Sequence, residues 1–208
     1  MQLSKDPYNI IITGVGGQGN VMASRILSSM LVRKGYYITI GETFGASQRG
    51  GSVMSHIRVS EKSTWSPQIP KGRGDFVAAL EPIEAIRVLM NYGNKGIKVL
   101  ANTRAIYPGG VIAGELDYPS LEEIKTTVGK LSSAAWFIDA TDKAVNLGNP
   151  IFGNIIMIGA MSQVCELPID REDFKTVILE SLPSSKLDLN LKAFDIGTEI
   201  VRQSLPLL

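Results

Sequence analysis

The sequence predicts an α/β three-layer sandwich, Rossmann-like, with a mostly parallel but mixed sheet and a group of helices at the C-terminal end. Three observations predict it. Short apolar runs rich in Ile, Val and Ala alternate with amphipathic helical stretches through residue 140, the pattern of strands and helices in α/β proteins. The first run, 10–12, has no polar alternation, which suits a strand buried on both faces. It breaks at once into Gly14-Val-Gly-Gly-Gln-Gly19 and then turns helical, the order strand, anion-type loop, helix N-terminus.

The elements follow in order. A first helix is expected over 18–34, with Val21, Ile26, Leu27, Met30 and Leu31 as its apolar stripe. A second strand, 37–42, ends in Glu42, 23 positions past Gly19. In a dinucleotide-binding unit an acid there accepts hydrogen bonds from a ribose. The stretch 43–52 is a polar, glycine-rich loop instead of the quick return to a helix that such a unit makes. Next, 52–60 alternates, Val53, Ser55, Ile57 and Val59 against Met54, His56 and Arg58, so a half-buried strand is expected. Residues 63–74 hold Pro67, Pro70, Gly72 and Gly74 and read as an irregular surface loop, with Trp65 either a contact residue or a loop anchor.

A third apolar run, 75–80, leads into Glu81-Pro82 and a helix to Met90, its buried spacing read as Ile83, Ile86 and Leu89. Residues 98–102 give the next strand, 111–115 a short edge strand after Pro108-Gly-Gly110, and 134–140 the last strand of the sheet. Ser120-Leu-Glu-Glu123 matches a capping box for a helix to Leu131. The remainder is helical over 154–164, 170–182 and 187–203, with Asp170 and Asp173 as a second box and Leu187, Leu191, Phe194 and Val201 as a final stripe.

Composition narrows the chemistry. A chain of 208 residues that is 44% hydrophobic buries a proper core, and 1–208 is expected to be a single domain. Its 21 basic and 20 acidic residues leave a net charge of +1 with no long run of either sign, which gives nucleic acid or an anionic membrane no electrostatic hold. One cysteine and no hydrophobic leader point to the cytoplasm. Iron-sulfur clusters and structural zinc need several thiolates or imidazoles, and the chain has only Cys165 and His56. Cys165 lies in an apolar stretch without a nearby base and reads as a small buried hydrophobe; His56, mid-strand, reads as structural.

Two loops carry the binding signal. Gly14, Gly16 and Gly19 fit G-x-G-x-x-G, and Gly17 and Gln18 lie between them. The same glycines also serve a turn that binds nothing. Gln48, Arg49, Gly50, Gly51 and Ser52 join an amide and a guanidinium fork to pliant backbone, suited to an anion, or to an Arg pairing a surface acid. Both loops are expected at one edge of the sheet, which favours a ligand site. No G-x-x-x-x-G-K-[ST] occurs, so P-loop ATP hydrolysis is disfavoured.

At these residues the sequence resembles a known family. Gly14-Val-Gly-Gly-Gln-Gly19, then Glu42-Thr-Phe-Gly-Ala-Ser-Gln-Arg-Gly-Gly-Ser52, Ser66-Pro-Gln-Ile-Pro70, Leu80-Glu-Pro-Ile-Glu-Ala85 and finally Asn190-Leu-Lys-Ala-Phe194 resemble the gamma-type subunit of 2-oxoacid:ferredoxin oxidoreductases. Within it, the indolepyruvate ferredoxin oxidoreductase beta subunit is resembled most nearly, with the gamma domain of the pyruvate and ketoisovalerate enzymes alongside. The resemblance implies oxidative decarboxylation of a 2-oxoacid to an acyl-CoA with reduction of ferredoxin. It implies thiamine diphosphate and iron-sulfur clusters on partner subunits, and coenzyme A as the candidate ligand of both loops. The chain alone is then expected to be inactive, with a homodimer as its form in isolation. The alternative is a free-standing NAD- or FAD-dependent oxidoreductase using Gly14, Gly16, Gly19 and Glu42.

Overall fold

The computed structural model describes residues 3–45 and 51–207; Gln48, Arg49 and Gly50 of the second loop lie outside them. The described residues build a six-stranded sheet of order β2-β3-β1-β4-β5-β6. Its strands are β1 (Tyr8–Val15), β2 (Tyr37–Phe44), β3 (Ser52–Ser60), β4 (Phe76–Ala79), β5 (Lys98–Asn102) and β6 (Ala134–Ile138). β1, β4, β5 and β6 run parallel, while β3 lies antiparallel between β1 and β2. The mixed sheet expected from the sequence is present, with one reversed strand.

Helices cover both faces. On one lie α1 (Asn20–Arg33), α6 (Gly153–Val164), α7 (Arg171–Ser181) and α8 (Leu187–Gln203), packed with Ile10, Ile12, Phe76, Ala78 and Leu100. On the other α2 (Pro82–Tyr92) and α4 (Leu121–Leu131) meet Ile11, Val77, Ala79, Val99 and Ala101. Alternate residues of β1 and β4 thus feed two cores, the reason 10–12 and 76–79 are apolar without alternation. Both capping boxes form, Ser120 with Glu123 and Asp170 with Asp173.

Four expectations are corrected. Residues 111–115 are not an edge strand: Gly109–Ile112 forms the short helix α3, whose end is closed by bonds from the Glu115 and Leu116 N–H groups to the Gly110 carbonyl. β3 is not half-buried, because the loop after it folds back over its polar face. His56 there is 2% exposed, accepts a hydrogen bond from the Ile69 N–H and meets the Tyr92 ring edge-on, and Arg58 is held under Trp65. α2 buries Ala85, Val88 and Leu89, while Ile83 and Ile86 are only partly covered. The last strand stops at Ile138, and Ala140–Asn146 forms a helix, α5, that the apolar run concealed.

Helices α6 and α8 touch backbone to backbone. A Cβ on Gly159 would stand 2.0 Å from the Phe194 carbonyl oxygen, and one on Gly197 1.9 Å from that of Ile156. Among the described residues no helix is long and apolar enough to cross a membrane.

Candidate functional site

β1 delivers the chain to the carboxyl edge of the sheet at Val15, and the glycine loop turns it into α1. Gly17 and Gly19 have φ of +101° and +86°, a region L side chains enter at a cost of about 1–2 kcal/mol. Gly19 is the N-cap of α1 and supplies no capping side chain; the first turn holds no acid. The leading N–H groups of the helix and its positive dipole end are therefore met neither by a capping side chain from Gly19 nor by a first-turn acid.

Gly14 is a packing position. A Cβ on Gly14 would lie 2.5 Å from Gln18 Oε1 and 3.0 Å from Asn20 Oδ1, so the chain's own side chains fill that space. Gln18 braces the loop: its Oε1 accepts from the Val15 N–H at 2.8 Å, and its Nε2 donates to the Leu80 carbonyl at 2.8 Å. Around Gly17, by contrast, no described residue stands within 4 Å of a built Cβ. Beneath the loop, Asn20 and Asn154 are 3% and 2% exposed, and the Oδ1 of each is buried without a hydrogen-bond donor among the described residues.

The two glycine-rich loops meet, as their expected places on the sheet require. The Gly16 N–H donates to the Gly51 carbonyl at 2.9 Å. Gly51 and Ser52, the described residues of the second loop's set, form its base. The Gly45 N–H closes that base on the Ser52 carbonyl at 2.8 Å, and Ser52 Oγ donates to Glu84 Oε2 at 2.6 Å.

The head of α2 gathers these loops. Glu81 has no exposed surface and caps the helix, accepting from the Ile83 and Glu84 N–H groups through Oε2. Its Oε1 accepts from the Ile106 N–H at 3.3 Å and from the Tyr118 hydroxyl. Burial raises the Glu81 carboxyl above its ordinary pKa, and these donors work against the rise. Burial, then the bond to Glu81, pushes the Tyr118 hydroxyl up. Glu81 thus ties down the long excursion between β5 and α4, as Glu84 ties down the second loop. Asn102 completes the edge: its Nδ2 donates to the Leu80 carbonyl and to Thr141 Oγ1, and its Oδ1 accepts from the Ala140 and Thr141 N–H groups.

Sequence reading did not single out Asn20, Asn102 or Asn154. A polar residue at the end of an apolar run was the available signal for Asn102; Asn154 gave none, since it meets Gly19 from across 135 positions.

Glu42 does not join the site. It faces Ser55 on β3, which in turn faces Ile12 on β1. That places it two strands away, about 10 Å sideways, and about 10 Å back from Val15. A ribose acid must sit on the strand beside β1, and here β3 occupies that place. Cys165 is buried, and burial holds its thiol up at about 12; it is no nucleophile at neutral pH.

The site opens onto two concavities. A mostly apolar groove of about 570 Å³ starts at Gly19 and runs between α1 and α7 past Met22, Arg25 and Leu182. A second, of about 540 Å³, lies behind Pro82 between Arg104, Tyr107 and Tyr118. The rim exposes Phe44, Tyr107, Ile112 and Leu116, each more than half accessible.

Comparison with known proteins agrees with this architecture. The model of the pyruvate ferredoxin/flavodoxin oxidoreductase family matches residues 9–200. Indolepyruvate oxidoreductase subunit IorB of Pyrococcus horikoshii is 40% identical, over 96% of this chain and 98% of its own. Two solved structures share the fold. Pyruvate oxidoreductase subunit PORC of Thermotoga maritima superposes with a TM-score of 0.73 at 21% identity, covering 94% of this chain and 97% of its own. The 2-oxoglutarate:ferredoxin oxidoreductase of Magnetococcus marinus, with 2-oxoglutarate, coenzyme A and succinyl-CoA bound, does so with a TM-score of 0.73 at 20% identity, over 97% of this chain and 32% of that one. The chain belongs to the pyruvate ferredoxin/flavodoxin oxidoreductase family.

Proposed function

We propose that the chain is the gamma-type subunit of a 2-oxoacid:ferredoxin oxidoreductase, with indolepyruvate as its candidate substrate, and that its carboxyl edge holds coenzyme A and seats the partner subunits. The overall reaction oxidatively decarboxylates the 2-oxoacid to an acyl-CoA while ferredoxin is reduced. Thiamine diphosphate and iron-sulfur clusters, carried by the partners, supply the carbon and electron chemistry. This chain's donor set does not fit a cluster, since its one cysteine is buried and protonated.

The observation that carries the coenzyme A reading is the uncapped N-terminus of α1 at Gly19, opening directly into a groove. Coenzyme A is an anion at one end and a long neutral amide arm at the other. Gly16, Gly17, Gln18 and Gly19, with Gln48, Arg49, Gly50, Gly51 and Ser52, are assigned to its phosphates. Gly14 is assigned to the packing of Gln18 and Asn20 beneath them. The groove between α1 and α7 suits the arm. The exposed apolar rim of Phe44, Tyr107, Ile112 and Leu116 suits a partner subunit.

The test is co-purification of the tagged full chain from its native cells, assayed for 2-oxoacid-dependent and coenzyme A-dependent reduction of a low-potential dye. Larger iron-sulfur partners co-elute, and Arg49→Ala raises the KM for coenzyme A while leaving the KM for the 2-oxoacid. A chain that elutes alone with a bound dinucleotide overturns the proposal. If Arg49→Ala weakens subunit association and leaves coenzyme A affinity unaltered, the loops serve assembly alone.

A further inference from the structure

The opposite edge of the sheet holds a second polar cavity, of about 600 Å³, at the amino ends of β1 and β4. It lies the length of β1 away from the glycine loop, about 23 Å for eight residues. Four cations line it, Lys5, Arg58, Arg73 and Lys95, against two acids, Asp6 and Asp75. Lys5 and Asp75 neutralise each other at 2.6 Å.

Arg58 is the unusual member. It is 6% exposed, yet among the described residues it makes no ion pair within 4 Å. Neutral acceptors hold it: Nε donates to Asn9 Oδ1 at 3.0 Å and Nη1 to the Ser66 carbonyl at 3.1 Å, while the Trp65 ring lies 5.1 Å away. Burial lowers its pKa, the mark of a charge taken from water without repayment by a carboxylate. Buried guanidinium groups are ordinarily paired. Asp6 is the remaining acid of the wall, with both carboxylate oxygens out of solvent contact and without a hydrogen-bond partner among the described residues.

The walls are rigidly made. Asn9 Nδ2 donates to the Arg73 carbonyl at 2.8 Å, and the Asn9 N–H to Asp75 at 2.9 Å. Asn94 Nδ2 bridges the carbonyls of Gly72 and Gly74. Arg73 and Lys95 therefore stand on braced backbone at the rim, both exposed and neither in an ion pair among the described residues.

We propose that this cavity is a binding site for a small organic dianion, a phosphate monoester or a dicarboxylate, seated on Arg58 and closed by Arg73 and Lys95. Two of the five Arg58 N–H donors are held by Asn9 and Ser66, the three left on Nη1 and Nη2 suit either group, and the volume falls in the range of small-molecule sites. Four cations against two acids leave the lining with two positive charges in excess, which favours a dianion.

The experiment titrates the full chain by calorimetry with glycerol 2-phosphate, malonate and acetate at matched ionic strength, with backbone amide NMR locating the response. One of the two dianions saturates a single site about tenfold or more tighter than acetate, and which one does so identifies the class. Amides of Asn9, Arg73 and Asn94 shift, and Arg73→Gln with Lys95→Gln together weakens binding by about tenfold or more. Arg58→Lys, which keeps the charge and removes the fork, weakens it further if the variant remains folded; the rim pair decides the matter in any case. Equal responses to acetate and both dianions, indifference to the rim substitutions, or shifts confined to Gly16–Gly19 would each overturn the proposal. So would protection of this cavity by a partner subunit's acidic segment with neither dianion binding.

Discussion

Gly19→Ala tests the glycine loop most sharply, because two separable penalties meet there. Holding a non-glycine residue at φ +86° costs about 1–2 kcal/mol, partly offset by about 0.4–1 kcal/mol from a stiffer unfolded chain. The new Cβ also lands 2.4 Å from Asn154 Nδ2. Asn154 is 2% exposed, so its amide has little room to retreat, and forcing it adds about 1–2 kcal/mol. The total is about 2–3 kcal/mol, which for a chain of this size lowers Tm by about 5–10 °C. Gly17→Ala is the internal control: its φ is +101° but no described residue stands within 4 Å of the added Cβ, so it bears only the first penalty, about 1 kcal/mol. Differential scanning calorimetry of both variants, with Asn154→Ala alone and combined with Gly19→Ala, closes a double-mutant cycle. Equal losses for Gly17→Ala and Gly19→Ala, or strict additivity of Gly19→Ala with Asn154→Ala, would refute the packing of Asn154 under the loop.

Three further outcomes follow from the same structure. Ser52→Ala removes the donor to buried Glu84, costs about 1–3 kcal/mol, and speeds amide exchange at Gly51 and Ser52; unchanged exchange would show that the second loop is not anchored on α2. Gly197→Ala sets a Cβ 1.9 Å from one backbone atom and 2.8 Å from others, so α6 and α8 must separate and about 3 kcal/mol or more is lost, whereas a Tm within a degree or so of the parent would contradict the close helix contact. Cys165 gives a pH signature: burial pushes its folded thiol from the ordinary cysteine range up to about 12, so stability is intact below the unfolded value and falls as pH rises toward the folded one, by about 1.4 kcal/mol per unit. Urea midpoints of Cys165→Ala should fall less than the parent's between neutral pH and pH about 10; parallel decline would place the alkaline loss elsewhere.

What the sequence revealed depended on how local the deciding physics was. Capping boxes at Ser120 and Asp170 need only four consecutive residues, and both formed where read. The strands 52–60 and 98–102 were bounded by turn chemistry and matched residue for residue. The alternation in β3 was real, yet a covering loop buried its polar face, and no local pattern reports what crosses over from residues 61–74. In α2 a difference of one residue in phase chose between Ile86 and Ala85, and β4 and α4 settled it. Glu42 had the right spacing for a ribose acid; only the insertion of β3 between its strand and β1 removed it. The joining of the glycine loop to Gly51 followed from the rule that ligand loops share a sheet edge. Its bracing by Gln18, Leu80 and Asn102 is tertiary and left no local trace.

The two margins of the sheet are unlike. At β6, Ala135 exchanges both its N–H and its carbonyl with Leu207, at 2.9 and 2.8 Å, so the chain's own tail sits where another strand would add. At β2, eight residues from Tyr37 to Phe44 form the outermost ladder, with neither Lys nor Pro among them. Natural edges are usually guarded by such residues. Among the described residues the open backbone ladder is therefore that of β2, while the β6 margin is bridged at Ala135 by Leu207.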